Sequence, residues 1–170
     1  MSRTSPRAFR PRAALAIPAL AIAIALAPPA SAEPAKGSVT QSGRTATIQH
    51  AWLVVGPDAV DPKTSIRQVV LSATDIGAKI RACAKLSCVS GLVEEGMTVD
   101  FDAGPRLNFW VAVNGQRVQY SGTEKPSAFT AKANDAKRIA GRLVIDKTSS
   151  GGSKVDVEFD APLAKAFTSP

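Results

Sequence analysis

The sequence predicts a mainly β protein, an antiparallel β-sandwich (immunoglobulin-like or similar) of about eight strands with one inserted α-helix. Three observations support this. Apolar and polar residues alternate through most of the chain after residue 32, turn-forming residues separate the alternating stretches, and one stretch has a helical period. A period of two places alternate side chains on the two faces of a sheet, and short turns join antiparallel neighbours. Many hairpins with one helix favour a sandwich in which the helix connects two strands.

The first strands are predicted around a short turn. Val39 begins a short strand, residues 41–44 form the turn, and residues 45–55 alternate along a longer strand. One face of the longer strand is predicted to carry Ala46, Ile48, His50, Trp52 and Val54. Residues 66–73 form the next strand, and the apolar run within it is typical of a strand that is covered on both faces.

Residues 74–87 have the period of an amphipathic helix. One face of this predicted helix carries Ile76, Ile80, Cys83, Ala84 and Ser87. Thr74 is the predicted N-cap, and the charge of Asp75 complements the positive end of the helix dipole. Gly77 weakens the helix because glycine loses more backbone entropy than other residues.

The remaining strands are predicted from alternation and from hairpin signals. In residues 97–103, alternate side chains point inward, and the others form a solvated outer face that includes Asp100 and Asp102. Asn114 and Gly115 indicate a tight hairpin, because both residues tolerate the positive φ that such a turn requires. The other predicted strands span residues 107–113, 116–121, 128–133, 138–146 and 154–160.

Residues 1–32 have the order of regions found in a cleaved secretory signal peptide. Arginines precede an apolar run at residues 13–27, and the small residues 30–32 come just before Glu33. The apolar run is shorter than the roughly 20 residues of a membrane span. We therefore expect an exported protein, periplasmic or extracellular. Residues 33–170 should form a single domain that does not span a membrane after cleavage.

The net charge of the chain restricts its partners. The whole chain has a formal charge of +7, but residues 33–170 hold 17 basic residues against 14 acidic ones. This excess is too small for the clustered basic patch of a nucleic-acid binder, so no nucleic acid is expected. No cofactor is expected either, and the expected partner is an envelope component, protein or polysaccharide. The densest basic residues are interpreted as a solvated strand edge or as a site for an anionic polysaccharide or headgroup. They are Lys132, Lys137, Arg138 and Arg142.

Cys83 and Cys88 are the only cysteines, and an even pair in an exported chain indicates a disulfide. In a continuous helix, residues five apart have Cα atoms more than about 8 Å apart, beyond the roughly 4.4–6.8 Å that a disulfide spans. A bond therefore requires the helix to end near Leu86. The alternatives are two reduced thiols or a redox pair.

His50, Asp100 and Asp102 are the candidate functional residues. His50 is the only histidine, and imidazole is the usual general base near neutral pH, although a buried structural histidine is the competing interpretation. Asp100 and Asp102 resemble part of a calcium loop, but the third ligand in phase and the distal Glu of that loop are missing. No residue is predicted as catalytic, cofactor-binding or metal-binding.

Two stretches resemble the ends of a group of uncharacterised exported bacterial β-sandwich proteins. Residues 38–52, with the run IQHAW, are similar to their opening strand, turn and strand. Residues 129–163, which end in FDAPL, are similar to their closing hairpin. The resemblance implies a periplasmic or secreted β-sandwich and no particular activity.

These observations predict an exported, non-enzymatic binding or structural module of the bacterial cell envelope, with an unknown ligand. The alternative is a small periplasmic hydrolase or metal-dependent enzyme that uses His50 with acids from neighbouring loops. The position of His50 distinguishes the two. A cleft with two carboxylates or a serine favours the enzyme, and burial against Trp52 favours the module.

Overall fold

The structure is a computed structural model that describes residues 33–115 and 118–170, together with Met1. The predicted signal peptide at residues 1–32 lies outside the described residues except for Met1. No helix in the described part of the chain has both the length and the apolar character needed to cross a membrane.

The described chain is mainly β, as predicted, and its strands form one curled antiparallel sheet. In chain order the strands are β1 Glu33–Gln41, β2 Arg44–Pro57, β3 Ser65–Ser72, β4 Gly96–Asp100, β5 Leu107–Ala112, β6 Tyr120–Glu124, β7 Phe129–Asn134, β8 Arg138–Asp146 and β9 Lys154–Ala166. Their order across the sheet is β6-β5-β4-β3-β2-β1-β9-β8-β7. The immunoglobulin-like arrangement of two sheets is not confirmed, because β1 joins both halves into one sheet.

The last strand, β9, connects the two halves of the sheet. It pairs antiparallel with all of β8, and its first half also pairs with β1. Because β1 begins at Glu33, the end of β9 runs on beside β2, where Leu163 pairs with Leu53 in the parallel direction. This second pairing is the reason that β9 is longer than its predicted span of 154–160.

The two faces of the sheet carry separate apolar clusters. The inner cluster fills the concave side of the curl and includes Val39, Ile48, Leu71, Val99, Phe109, Leu143 and Val157. The outer cluster lies between the opposite face and the helices, and includes Trp52, Val54, Val70, Ile76, Ile80, Leu86 and Val89. Strands β2 and β3 are therefore buried on both faces, as the apolar run in residues 66–73 predicts.

The helical segment differs from the single helix predicted over residues 74–87. It consists of α1 Gly77–Ala82 and α2 Leu86–Ser90, and the chain is extended at Cys83 between them. The break lets Cys83 and Cys88 approach to a Cα–Cα distance of 5.8 Å, at which the two sulfurs are at bonding distance. The predicted disulfide pair is therefore present. The helix is interrupted at Cys83 rather than near Leu86, where the second helix begins.

Strand β2 also differs from its predicted pattern. Ala46 and Ile48 belong to the inner cluster, whereas Trp52 and Val54 belong to the outer cluster. The five residues predicted to share one face are therefore divided near His50. The register between β1 and β2 shifts at this level, and such an irregularity reverses the alternation of side chains.

Side chains from distant strands close the curl. Phe129 on β7 contacts Phe101 and Phe159, with ring centroids 5.1 Å and 5.6 Å away. Arg67 on β3 donates from Nη1 to Asn134 Oδ1 at the end of β7, over 2.8 Å. The contacts of Phe129 with Phe101 and of Arg67 with Asn134 join positions far apart in the strand order, so they stabilise the curvature of the sheet.

Candidate functional site

A cleft of about 760 Å³ lies over the outer face of β3, β4 and β5. The loop between β2 and β3 and helix α2 form its walls. We call it the acidic cleft, after the side chains that line it, which include Asp58, Asp61, Gln68, Asp100, Asp102, Asn108 and Trp110. Its volume falls within the range of small-molecule sites, roughly 300–1,000 Å³.

Strand register places three polar side chains in a row in the acidic cleft. Gln68 on β3 pairs with Asp100 on β4, which in turn pairs with Asn108 on β5. The three residues therefore lie on the same face of neighbouring strands. Trp110 follows two residues after Asn108 and therefore lies on that face as well.

Asp100 is buried, with 6% of its surface exposed, whereas the sequence predicted a solvated strand face. The alternation in β4 is as predicted, since Met97 and Val99 point into the inner cluster. The prediction of exposure was wrong because the loop between β2 and β3 and helix α2 cover this outer face, and neither is visible in the periodicity of β4.

Burial sets the proton affinity of Asp100. Its pKa rises from 3.8 to about 6, mainly because burial penalises the charged form, and the charges of Asp58 and Asp102 also raise it. A hydrogen bond from Gln68 Nε2 to Asp100 Oδ1, 2.7 Å long, lowers the pKa in part. Asp100 is therefore mostly ionised at neutral pH and becomes neutral in mild acid.

Gln68 has an unsatisfied acceptor beside this carboxylate. Only 5% of Gln68 is exposed, and its Oε1 has no hydrogen-bond donor among the described residues. Buried carbonyl oxygens in proteins nearly always have a partner, because the loss of solvation is otherwise uncompensated. The cleft therefore holds an acceptor that the described chain leaves free for a donor.

Asp102, in the loop after β4, has a different environment. Arg67 donates to it from Nε over 2.6 Å and from Nη2 over 2.8 Å. These hydrogen bonds, together with the positive charge of Arg67, lower the pKa of Asp102. Asp102 therefore acts as the anion of an ion pair, although it lies only two residues from Asp100.

Apolar side chains form the rest of the acidic cleft. Val60 in the loop between β2 and β3 is 94% exposed, and Val118 is 48% exposed. Trp110, which is half-buried, and Leu86 of α2 also line the cleft. The cleft therefore combines buried acceptors with an apolar, aromatic surface.

The other candidate residues lie elsewhere. His50 is not among the residues that line the acidic cleft. Its ring stacks on Trp52, with centroids 5.6 Å apart and an interplanar angle of 16°. Cys83 and Cys88 flank the start of α2, so their bond holds the wall that carries Leu86. Within the described ranges, no group of three or more His, Cys, Asp or Glu side chains is placed to hold a metal ion.

Three of the four residues of the predicted basic stretch, Lys132, Arg138 and Arg142, are paired with acids. We call these pairs the β9 ladder; they are Lys132–Glu158, Arg138–Asp160 and Arg142–Asp156. Each pair joins a base on β7 or β8 to an acid on β9. Three of the four charges of the stretch are therefore matched, which favours a solvated surface over an anion site. Because β8 and β9 are interior strands, the pairs lie on a face of the sheet rather than along a strand edge.

Sequence reasoning missed Gln68, Asn108 and Trp110 as cleft residues. A signal for Gln68 was present, because it is a polar residue at a buried position of an otherwise apolar strand. The strand-like run around Trp110 predicts a core residue, because large aromatic side chains carry much of the burial in a small core, but Trp110 is only half-buried. Comparison with protein-family models, curated proteins and solved structures gives no significant match to this chain.

Proposed function

We propose that this chain is an exported, non-enzymatic binding module of the bacterial cell envelope, and that the acidic cleft is its ligand site. The observation that carries the proposal is the unsatisfied buried acceptor Gln68 Oε1 beside the buried carboxylate of Asp100, in the wall of a cleft that apolar side chains also line. A few convergent polar groups in an apolar concavity are the usual composition of a small-molecule site.

Export is supported by the signal-like order of residues 1–32 and by the paired cysteines, since disulfides persist in oxidising compartments. The binding interpretation is supported by His50, which stacks on Trp52 rather than facing the carboxylates of the cleft. Asp102 accepts hydrogen bonds from Nε and Nη2 of Arg67 and therefore serves as a structural anion.

The proposal is tested by searching for a ligand whose binding depends on the cleft. The exported protein is incubated with glycan, lipid and peptide fractions of a bacterial envelope, and complexes are weighed by native mass spectrometry. We expect a one-to-one adduct with a chemically unchanged ligand. The adduct should be lost in Asn108→Trp, because the indole would fill the cleft over β5.

A matched variant controls for the added indole. Thr130→Trp places the same side chain on an exposed position of β7, outside the acidic cleft, and should retain the adduct. Circular dichroism and thermal melting confirm that both variants are folded. The proposal is wrong if no fraction gives an adduct, or if the adduct survives in Asn108→Trp.

A hydrolase is the second candidate, and one observation favours it. The pKa of Asp100 is raised while that of Asp102 is lowered, and carboxylates separated in this way can divide the roles of acid and base. The same experiment distinguishes the candidates. An enzyme would release a cleaved product, and Asp100→Asn would abolish the cleavage while leaving the adduct in place.

A further inference from the structure

The charge of the acidic cleft favours a cationic ligand. Four carboxylates line it, and no Lys, Arg or His is among the described residues that do so. Only Asp102 has a cationic partner, Arg67, among the ion pairs of the described chain. Asp58 and Asp61 accept hydrogen bonds from neighbouring backbone N–H groups, which leave their charges in place. A concave surface of one sign concentrates ligands of the opposite sign.

The hydrogen-bonding groups in the cleft favour a ligand that donates hydrogen bonds. Gln68 Oε1 accepts no hydrogen bond from the described residues, and the Asp100 carboxylate accepts one from them, donated by Gln68 Nε2. Both atoms are acceptors on neighbouring strands, so one donor group placed between them serves both. A primary ammonium group has three N–H donors and no acceptor, which matches this pair of oxygens.

The apolar side chains of the cleft favour a ligand that has an apolar group beside its positive charge. Val60 and Val118 are two exposed aliphatic residues of the cleft, and Trp110, which is half-buried, lines the same cleft as the polar row. An aromatic face beside carboxylates attracts a cation and also stacks with a flat apolar group. A fully hydrophilic cation, such as a metal ion, would make no contact with this apolar surface.

We propose that the acidic cleft binds a small organic amine, with its ammonium group between Asp100 and Gln68 Oε1 and its apolar arm along Trp110. This inference rests on the proposed function, because it names the ligand class of that same cleft. It commits to a free small molecule, since Gln68 and Asp100 are buried in a concave cleft bounded by a loop and a helix rather than displayed on a flat surface.

Three probes with a common phenylethyl or benzyl arm test the inference. 2-Phenylethylamine is a cation at pH 7.5, 2-phenylethanol is its neutral counterpart, and phenylacetate is an anion. Isothermal titration calorimetry with the exported protein should give the tightest binding for the amine. We expect about 10- to 100-fold weaker binding for the alcohol, the range for losing a hydrogen bond to a charged group, and none for the anion.

Two variants of the polar row and one matched control locate the binding. Asp100→Asn removes the charge with little change in shape, and Gln68→Met removes the free acceptor; each should weaken amine binding by about tenfold or more. Asp156→Asn makes the same substitution in the β9 ladder and should leave the affinity unchanged. Thermal melting of each variant confirms folding before the titration is interpreted.

Fluorescence quenching gives a second measurement, which reports on the charge of the cleft before any ligand is added. The chain has two tryptophans, of which Trp52 is fully buried and Trp110 is half-buried, so ionic quenchers report on the cleft. Caesium ions should quench more than iodide in the wild type, and the difference should shrink in Asp100→Asn. Saturating 2-phenylethylamine should protect Trp110 from caesium.

The outcomes separate this inference from the proposed function. If the alcohol or phenylacetate binds as tightly as the amine, the ligand class is wrong while the cleft remains a binding site. If none of the three probes binds, the inference is also overturned, and the envelope adduct lost in Asn108→Trp still decides the proposed function. Amine binding that survives both Asp100→Asn and Gln68→Met contradicts the placement of the ammonium group.

Discussion

The β9 ladder and the acidic cleft treat carboxylates in opposite ways. In the ladder, each acid of β9 is paired with a base on β7 or β8, and these partners lower the pKa values of Asp156, Glu158 and Asp160. In the cleft, Asp100 is buried beside an amide, and burial raises its pKa to about 6. The acids of the β9 ladder are matched by bases within the chain, whereas the buried charge of Asp100 has no cationic partner among the described residues.

This difference separates a structural use of charge from a functional one. Exposed ion pairs are screened by water and contribute little to stability, but they keep this face of the sheet hydrated. A buried carboxylate without a cation destabilises the folded state unless something binds to it. Such a destabilising feature inside a cleft is a reason to infer a ligand site.

The largest expected effect comes from removing the unmatched charge. Asp100→Asn should stabilise the folded protein at pH 7 by up to about 3 kcal/mol, because a pKa raised from 3.8 to about 6 corresponds to that penalty. The Asn side chain still accepts the hydrogen bond from Gln68. The advantage should fade as the pH falls from 6 to 4, since folded wild-type protein then takes up a proton before the unfolded chain does.

Urea unfolding at pH 7 and at pH 4 measures this effect for the wild type and for Asp100→Asn. Asp156→Asn is the matched control from the β9 ladder, and it should not stabilise the protein at either pH. A destabilised Asp100→Asn at pH 7 would show that the carboxylate is matched after all, and the contrast between the two regions would disappear.

Arg67→Gln should have the next largest effect, and it is expected to destabilise. The change leaves Asp102 without its cation and removes the hydrogen bond that joins β3 to Asn134, so we expect a loss of about 1–3 kcal/mol. Arg67 lowers the pKa of Asp102, so this pair contributes stability above the ordinary pKa of Asp and loses it as the pH falls through the lowered value.

Urea unfolding across the acid range therefore measures two quantities for Arg67→Gln, the loss at pH 7 and the slope with pH. Arg67→Lys keeps the charge without the forked geometry and should fall between the wild type and Arg67→Gln. Equal stability of all three proteins would mean that the ion pair between Arg67 and Asp102 does not stabilise the fold.

His50→Gln should have a smaller effect, about 1 kcal/mol or less, from the loss of ring stacking on Trp52. Because His50 lies outside the acidic cleft, the envelope adduct and the amine affinity should be unchanged. Thermal melting and native mass spectrometry check the two halves of the prediction. Loss of the adduct with an unchanged melting temperature would favour a functional role for His50.

Arg142→Gln should have the smallest effect, because the ion pair with Asp156 is exposed and surface pairs contribute little. The midpoint of urea unfolding should stay within experimental error at low salt and at high salt. A clear loss of stability at low salt alone would show that the β9 ladder acts as a coupled network rather than as separate pairs.

Several elements could be predicted from residues alone because their causes are local. Strand β8 spans Arg138–Asp146, the predicted range, since its alternation is uninterrupted. Asn114 and Gly115 both have positive φ, at 66° and 65°. The next strand nevertheless begins at Tyr120, whereas the predicted start at residue 116 lies outside the described residues.

Other features had no local signal. The helical period over residues 74–87 carried no information about the break at Cys83, which the approach of Cys88 requires. The alternation in β2 is reversed near His50 by the pairing with β1, a contact between two strands. The alternation in β4 placed Asp100 on the outer face of the sheet. It carried no information about which segments cover that face.

The sequence by itself determined the mainly β class, most of the strands, the cysteine pair and the polar residue within β3, because each depends on side chains close together in the chain. Only the tertiary structure decided that one curled sheet forms, that Asp100 is buried, and that Gln68, Asn108 and Trp110 share its cleft. The physical reason is that burial and unmatched hydrogen-bonding groups depend on which distant segments lie over a surface. Here those segments are the loop between β2 and β3 and helix α2.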